Sequence, residues 1–121
     1  RYAQVQHLVS TVEGTLRPGV DHVAAFQACF PGGSISGAPK KRALEIIHEL
    51  EPHQRGLYTG AIGWFGFNGG SQFSIAIRTA WRTGDHLEFH TGSGIVADSD
   101  PEFEWEETRH KAAGMLAASG P

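Results

Sequence analysis

The chain has 121 residues, of which 40% are hydrophobic and 19% charged, and a formal net charge of −3. That length suits one domain with a core, and the charge balance, with no basic run longer than Lys40–Arg42, argues against a dedicated nucleic-acid binder. No apolar run approaches the ~20 residues of a membrane span, and the lone cysteine, Cys29, excludes an internal disulfide framework and fits a reducing, cytoplasmic compartment.

The chain opens on Arg1 rather than methionine and is read as a piece of a longer polypeptide. YAQVQHLVSTVEGTL (2–16) is rich in Val, Leu and Thr and reads as a strand ending at the turn Arg17-Pro18-Gly19. DHVAAFQACF (21–30) reads as a short helix with Asp21 as N-cap, Pro31 beyond its end and Cys29 as a small buried apolar residue. A second helix is expected after Ser36, which can cap it, with Pro39 in its first turn. Leu44, Ile47 and Leu50 give that helix a buried face, and Pro52 stops it. Three antiparallel strands follow, 58–67, 72–82 and 86–97, with Asn68-Gly69-Gly70 and Gly84-Asp85 as hairpin turns. A last helix is capped by Ser99 or Asp100, carries Pro101 in its first turn, and has Ala112, Met115 and Leu116 as its apolar stripe. The order β-α-α-β-β-β-α is an α+β pattern, an antiparallel sheet flanked by helices, with 1–121 read as part of a single domain.

PGGSISGAPKKR (31–42) invites comparison with a phosphate-binding loop, since Gly32 and Gly37 have the required spacing. The match then fails, because Ala38 and Pro39 stand where the phosphate-reaching lysine and the magnesium-binding hydroxyl are needed. Which anion this loop serves is left open by the spacing.

Four other features can carry chemistry. Glu104 and Glu107, three residues apart on the last helix, form half of a hard-cation site, or a solvated acidic face with Glu107 paired to Lys111. Gly92-Ser93-Gly94 at a strand end can present successive backbone amides to an anion, or can be a glycine bend. Arg78 lies in the alternating stretch SIAIRTA among small neighbours, placed for a bidentate grip on a carboxylate or for a polar outer face. His7 interrupts an apolar strand, where a structural role is the commoner one. Neither His86 nor His90 shows metal-ligand spacing, and zinc is not expected.

Taken together and in this order, HLVSTVEG (7–14), FPGGSISGAPKKRALEII (30–47), YTGAIGWF (58–65), SIAIRT (74–79), GSGIVADS (92–99) and EWEETRHKA (104–112) resemble the chorismate-utilising enzymes over nearly the whole chain. The wording of FPGGSISGAPK and of ELEPHQRG (49–56) resembles the branch that makes 4-amino-4-deoxychorismate for folate synthesis, more than the branch that makes anthranilate. The resemblance implies the chorismate-binding enzyme fold, chorismate as substrate, magnesium as cofactor, and ammonia from a glutamine amidotransferase subunit or fused domain. It implies Glu107 as a magnesium ligand with Glu104 as a second or water-mediated one, and Arg78 and Tyr58 on the pyruvyl carboxylate. Gly92, Ser93 and Gly94 would bind at the same end of the ligand, and Lys111 near the ring carboxylate. His7 would sit by the ring and its C4 hydroxyl, while Ser36 and Gly37 would wall one side of the pocket. Family members also carry upstream a second acidic segment and a loop that often supplies the attacking lysine, so this chain alone is expected to be inactive. With an incomplete sheet it is also expected to expose edges through which it could self-associate.

Overall fold

Three helices and two separate antiparallel hairpins follow one another, in an α+β arrangement that a computed structural model describes for residues 9–120. The elements are α1 (His22–Cys29), α2 (Lys40–Leu50), β1 (Ala61–Phe65), β2 (Ser71–Ile75), β3 (Ala80–Thr83), β4 (His86–Phe89) and α3 (Pro101–Ala118).

Local chemistry sets most boundaries. Asp21 caps α1 by accepting the Ala24 amide at 2.8 Å, and Asp100 caps α3 by accepting the amides of Glu102 and Phe103 at 3.0 and 3.1 Å, each satisfying donors that a helix start leaves free. Pro101 opens α3, where a missing N–H costs nothing. In the β1–β2 turn Gly69 takes φ +84° and Asn68 Oδ1 accepts the Gly70 amide. Gly84, at φ +61°, turns β3 into β4. Trp64 pairs with Gln72 in the first hairpin and Trp81 with Glu88 in the second. Opposite Phe73, Gly63 is obligatory, since a Cβ there would lie 2.1 Å from the Gln72 carbonyl oxygen.

The structure differs from the sequence expectations at several places; the strand expected over 58–67 runs only from Ala61 to Phe65, because the residues before it close a turn. In the strand expected over 2–16, the described residues from Val9 to Leu16 form no strand, with Val9 and Val12 exposed and no neighbouring strand among the described residues to pair with them; the remainder lies outside the described residues. Ser36 does not cap α2: Pro39 holds the N-cap position with no side-chain cap, because the Ser36 hydroxyl is taken by Lys40. The expected strand 72–82 is two strands. The Ile77 amide turns back onto the Ile75 carbonyl, and Arg78 adopts φ +49°, which ends the extended alternation. The expected strand 86–97 stops at Phe89. Cys29 is exposed rather than buried.

Packing is lopsided. α1 lies on the first hairpin through Phe26, whose ring centroid is 4.3 Å from that of Phe73 and 5.7 Å from that of Phe65, with His22 edge-on to Phe65 at 5.1 Å. Beyond that cluster, Ala76 is the one buried hydrophobic residue among those described. Leu44 and Leu50, expected on the inner face of α2, are exposed, as is Leu116 on α3. Neither helix finds an apolar surface to cover within the described residues, where extensive packing between elements is confined to the two hairpins.

Candidate functional site

A small, shallow cleft opens where the turn before β1, the break between β2 and β3, the segment after β4 and the middle of α3 converge; Tyr58, Ile77, Arg78, His90, Thr91, Gly92 and Lys111 line it.

Each side chain arrives by a local device. Tyr58 sits in a turn closed by its own amide on the Arg55 carbonyl and by the Gly60 amide on the Leu57 carbonyl. That turn is stitched to the end of β2 by Thr59 N–H to Ala76 O and Ala76 N–H to Gly60 O, both 2.9 Å. The same stitch fixes the backbone leading to Arg78, whose left-handed φ swings it out of the strand and onto the cleft. Arg78 takes part in no ion pair among the described residues. Gly92 passes beneath the Tyr58 hydroxyl so closely that a Cβ would lie 3.0 Å from it. Lys111 Nζ donates to the Gly92 carbonyl at 3.0 Å and pairs with Glu107 one turn back along α3. Thr91 Oγ1 donates to the Thr108 carbonyl, a second tie between this segment and the helix.

Two cations, a phenol and an imidazole thus face one small volume. His90 stacks between neighbours, 5.5 Å from Tyr58 and 5.6 Å from Trp81 by ring centroid, at interplanar angles of 25° and 18°. Such a corner suits an anionic group attached to a flat apolar body, with Arg78 and Lys111 supplying charge-assisted donors and the aromatic wall a flat apolar surface.

Beside the cleft, Glu104 Oε1 accepts the Ser99 hydroxyl at 2.6 Å, while Oε2 is buried with no partner among the described residues. The hydrogen bond from Ser99 first, with the nearby Ser93 hydroxyl and the Lys111 charge, holds the Glu104 carboxyl below its ordinary value of 4.5, against an opposing desolvation. An ionised carboxylate with one shielded, unpartnered oxygen fits a hard cation, and magnesium commonly takes one or two carboxylates with the rest of its shell from water or substrate. No group of three or more His, Cys, Asp or Glu gathers among the described residues, and Glu107 is paired with Lys111, so Glu104 and Glu107 are at most two donors of a site that would need others.

Of the residues singled out from sequence, the structure brings Tyr58, Arg78, Gly92 and Lys111 into one cleft, with Glu107 bonded to Lys111 and Ser93 and Glu104 adjoining. Gly94 lies further along the same segment and does not line the cleft. Ser36 and Gly37 do not line it either. Their loop rests on β2, with Gly32 against Ile75, and is closed by Lys40, whose ammonium donates to the carbonyls of Gly32 and Gly33 and to the Ser36 hydroxyl at 2.8, 2.6 and 2.8 Å. The loop's first cation is therefore spent on its own backbone. His7 lies outside the described residues. Sequence reasoning missed His90, which as a strand-end histidine carries no distinguishing signal, and Ile77 and Thr91.

The family model described as chorismate binding enzyme matches residues 1–117, and the chain belongs to that family. It is 52% identical over 118 residues to aminodeoxychorismate synthase component 1 of Bacillus subtilis, covering 98% of this chain and 25% of that protein. It is 50% identical over 119 residues to anthranilate synthase component 1 of Neisseria gonorrhoeae, covering 98% and 24%. It is also 52% identical over 118 residues to anthranilate synthase component 1 of Streptomyces coelicolor, covering 98% and 23%. The chain thus spans about a quarter of the length of these relatives, and identity does not separate the two activities. No helix among the described residues is long and apolar enough to cross a membrane.

Proposed function

We propose that the chain is the C-terminal part of a cytoplasmic enzyme that aminates chorismate to 4-amino-4-deoxychorismate. The observation that carries this reading is the cleft in which Arg78 and Lys111, two cations, meet the Tyr58 hydroxyl and a glycine turn at Gly92. Chorismate is a dicarboxylate on a cyclohexadiene ring, and such a corner can hold one of its carboxylates at a fixed angle. In this reading Arg78 and Tyr58 grip the pyruvyl carboxylate, the 92–94 turn supports the same end, and Lys111 approaches the ring carboxylate. His7 attends the C4 hydroxyl that leaves, and Ser36 and Gly37 belong to the far wall. Glu104 and Glu107 would hold magnesium, which when bound would neutralise the ring carboxylate and draw electron density toward it. Preorganised donors of this kind stabilise developing charge without having to reorient during the reaction. Ammonia would come from a glutamine amidotransferase, as a separate subunit or a fused domain.

The wording of the loop at 30–40 and of ELEPHQRG favours this product over anthranilate. The test is the complete polypeptide with chorismate, ammonium and magnesium, its product identified by mass. A product that keeps the pyruvyl group and gains one nitrogen supports the proposal. Anthranilate with free pyruvate would assign the chain to the other activity. The isolated 121-residue chain is expected to give neither product.

A second reading for the isolated chain is a non-catalytic, self-associating piece. It draws on the outer edges of the two hairpins, unpaired among the described residues, and on exposed apolar residues such as Phe67 and Leu50. Elution volume that stays constant across a hundredfold dilution would dismiss it.

A further inference from the structure

ELEPHQRG, which sequence comparison uses only as a marker of branch, has a physical task in this fold. We propose that Arg55 is a positioning residue for the carboxylate corner, holding Tyr58 in place from behind the cleft. The inference rests on the reading of that cleft as a chorismate site.

Arg55 does not line the cleft, but Tyr58 does. The guanidinium sits over the Tyr58 ring, 5.5 Å from its centroid. Its Nε donates to Glu51 Oε2 at 2.7 Å and its Nη2 to Glu51 Oε1, a two-pronged grip that fixes the plane of the group. The remaining nitrogen, Nη1, reaches the Thr59 hydroxyl at 3.3 Å. Thr59 takes φ +65°, a region that β-branched residues avoid, so the turn carries strain that these bonds help to hold. With the backbone stitch from Thr59 and Gly60 to Ala76, the turn is clamped on two sides, and Tyr58 is left with Arg55 above its ring and His90 stacked on it. Arg55 is half-buried, with its side chain 23% exposed, so the fork is partly shielded from competing water. Glu51's carboxyl lies below its ordinary value, chiefly through the hydrogen bond from Arg55, which keeps the fork intact at neutral pH.

An arginine is required because only a planar fork can bind a carboxylate with two N–H groups, reach a third acceptor and cover a ring at once. Lysine would keep the charge and lose the geometry.

The test is a double-mutant cycle in the complete polypeptide, with Arg55→Met, Tyr58→Phe and the pair, read as KM and kcat for chorismate. Arg55→Met is expected to lower kcat/KM about tenfold, mostly through KM, and to add less than about twofold once Tyr58→Phe has removed the hydroxyl. Arg55→Lys should behave as Arg55→Met. Effects that multiply in the double variant, or an unchanged KM in Arg55→Met, would overturn the proposal, since a merely structural arginine acts independently of the Tyr58 hydroxyl. If Arg55→Met does not fold, Glu51→Gln takes its place in the cycle, with a KM increase of about threefold expected only when the Tyr58 hydroxyl is present; an equal increase with and without it overturns the proposal. A wild-type enzyme that neither binds nor converts chorismate would instead overturn the reading of the cleft, and the proposal with it.

Discussion

The middle of β2 and the segment just past its end show contrasting ways of holding a structure together. At the first, Phe73 meets Phe26 and Phe65 in an aromatic cluster that fixes α1 on the first hairpin by shape and burial. At the other, from Ala76 to Arg78, hydrogen bonds hold the cleft: a backbone stitch to 59–60, a lysine on a glycine carbonyl, an arginine fork on Glu51. The apolar cluster is left open to solvent on many sides, whereas the polar corner is tied together by hydrogen bonds within this chain, with Arg78 and Glu104 Oε2 left without partners among the described residues. The cleft proposed to take a carboxylate is thus held together within a quarter-length piece whose apolar faces still lack cover among the described residues.

That contrast predicts a division of mutational effects in the complete polypeptide. The largest should come from Glu107→Ala, which would remove the proposed magnesium donor and leave Lys111 without its acid; magnesium-dependent turnover should fall by more than a hundredfold with little change in melting temperature. A parallel drop in melting temperature would place Glu107 in the framework instead. Phe73→Ala should do the reverse, lowering stability by about 2–3 kcal/mol in a denaturant titration while the folded fraction keeps its KM. Equal damage to KM would show that the aromatic cluster reaches the cleft. Asp100→Ala, which leaves the Glu102 and Phe103 amides uncapped, should cost about 1 kcal/mol. Since Ser99, next in sequence, holds Glu104, a small rise in the magnesium requirement is expected alongside it.

The smallest effect concerns pH. Glu51's folded carboxyl lies below 4.5, lowered first by its hydrogen bond from Arg55. A depressed carboxylate contributes stability that is complete above its unfolded value and is lost as pH falls through the folded one. The brace should thus be unaffected from neutrality down to about pH 5 and fade below the ordinary carboxylate range. Glu51→Gln should flatten that acid limb of the stability profile; an unchanged limb would show that other carboxylates set it.

What the sequence made legible follows the range of the forces involved. Helix starts at Asp21 and Asp100-Pro101 depend on amides two or three residues away, and the turns at Asn68-Gly69-Gly70 and Gly84-Asp85 on single backbone torsions, so both could be read directly. The start of α2 was misplaced because the Ser36 hydroxyl is occupied by Lys40 across the loop, which helix propensity does not register. SIAIRTA alternates like one uninterrupted strand, yet it breaks, because Ala76 pairs with residues 59–60 and Ile77 folds back on Ile75. Those are tertiary choices. In the cleft, Tyr58, Arg78, Gly92 and Lys111 were identified through the family resemblance, while spacing alone left Arg78 with two readings. Arg55 and His90 act through rings far from them in sequence or hidden in a turn, and periodicity carries no trace of such stacking.

The most direct measurement is calorimetric titration of chorismate into the complete polypeptide, wild type and Arg78→Ala, each checked for its melting temperature. The Arg78 guanidinium, which lines the cleft without an ion-pair partner among the described residues, should be worth about 2–3 kcal/mol to a bound carboxylate. Its loss should therefore weaken chorismate binding roughly 30- to 150-fold with the fold intact. Undiminished affinity in Arg78→Ala would contradict the assignment of this corner as the carboxylate site.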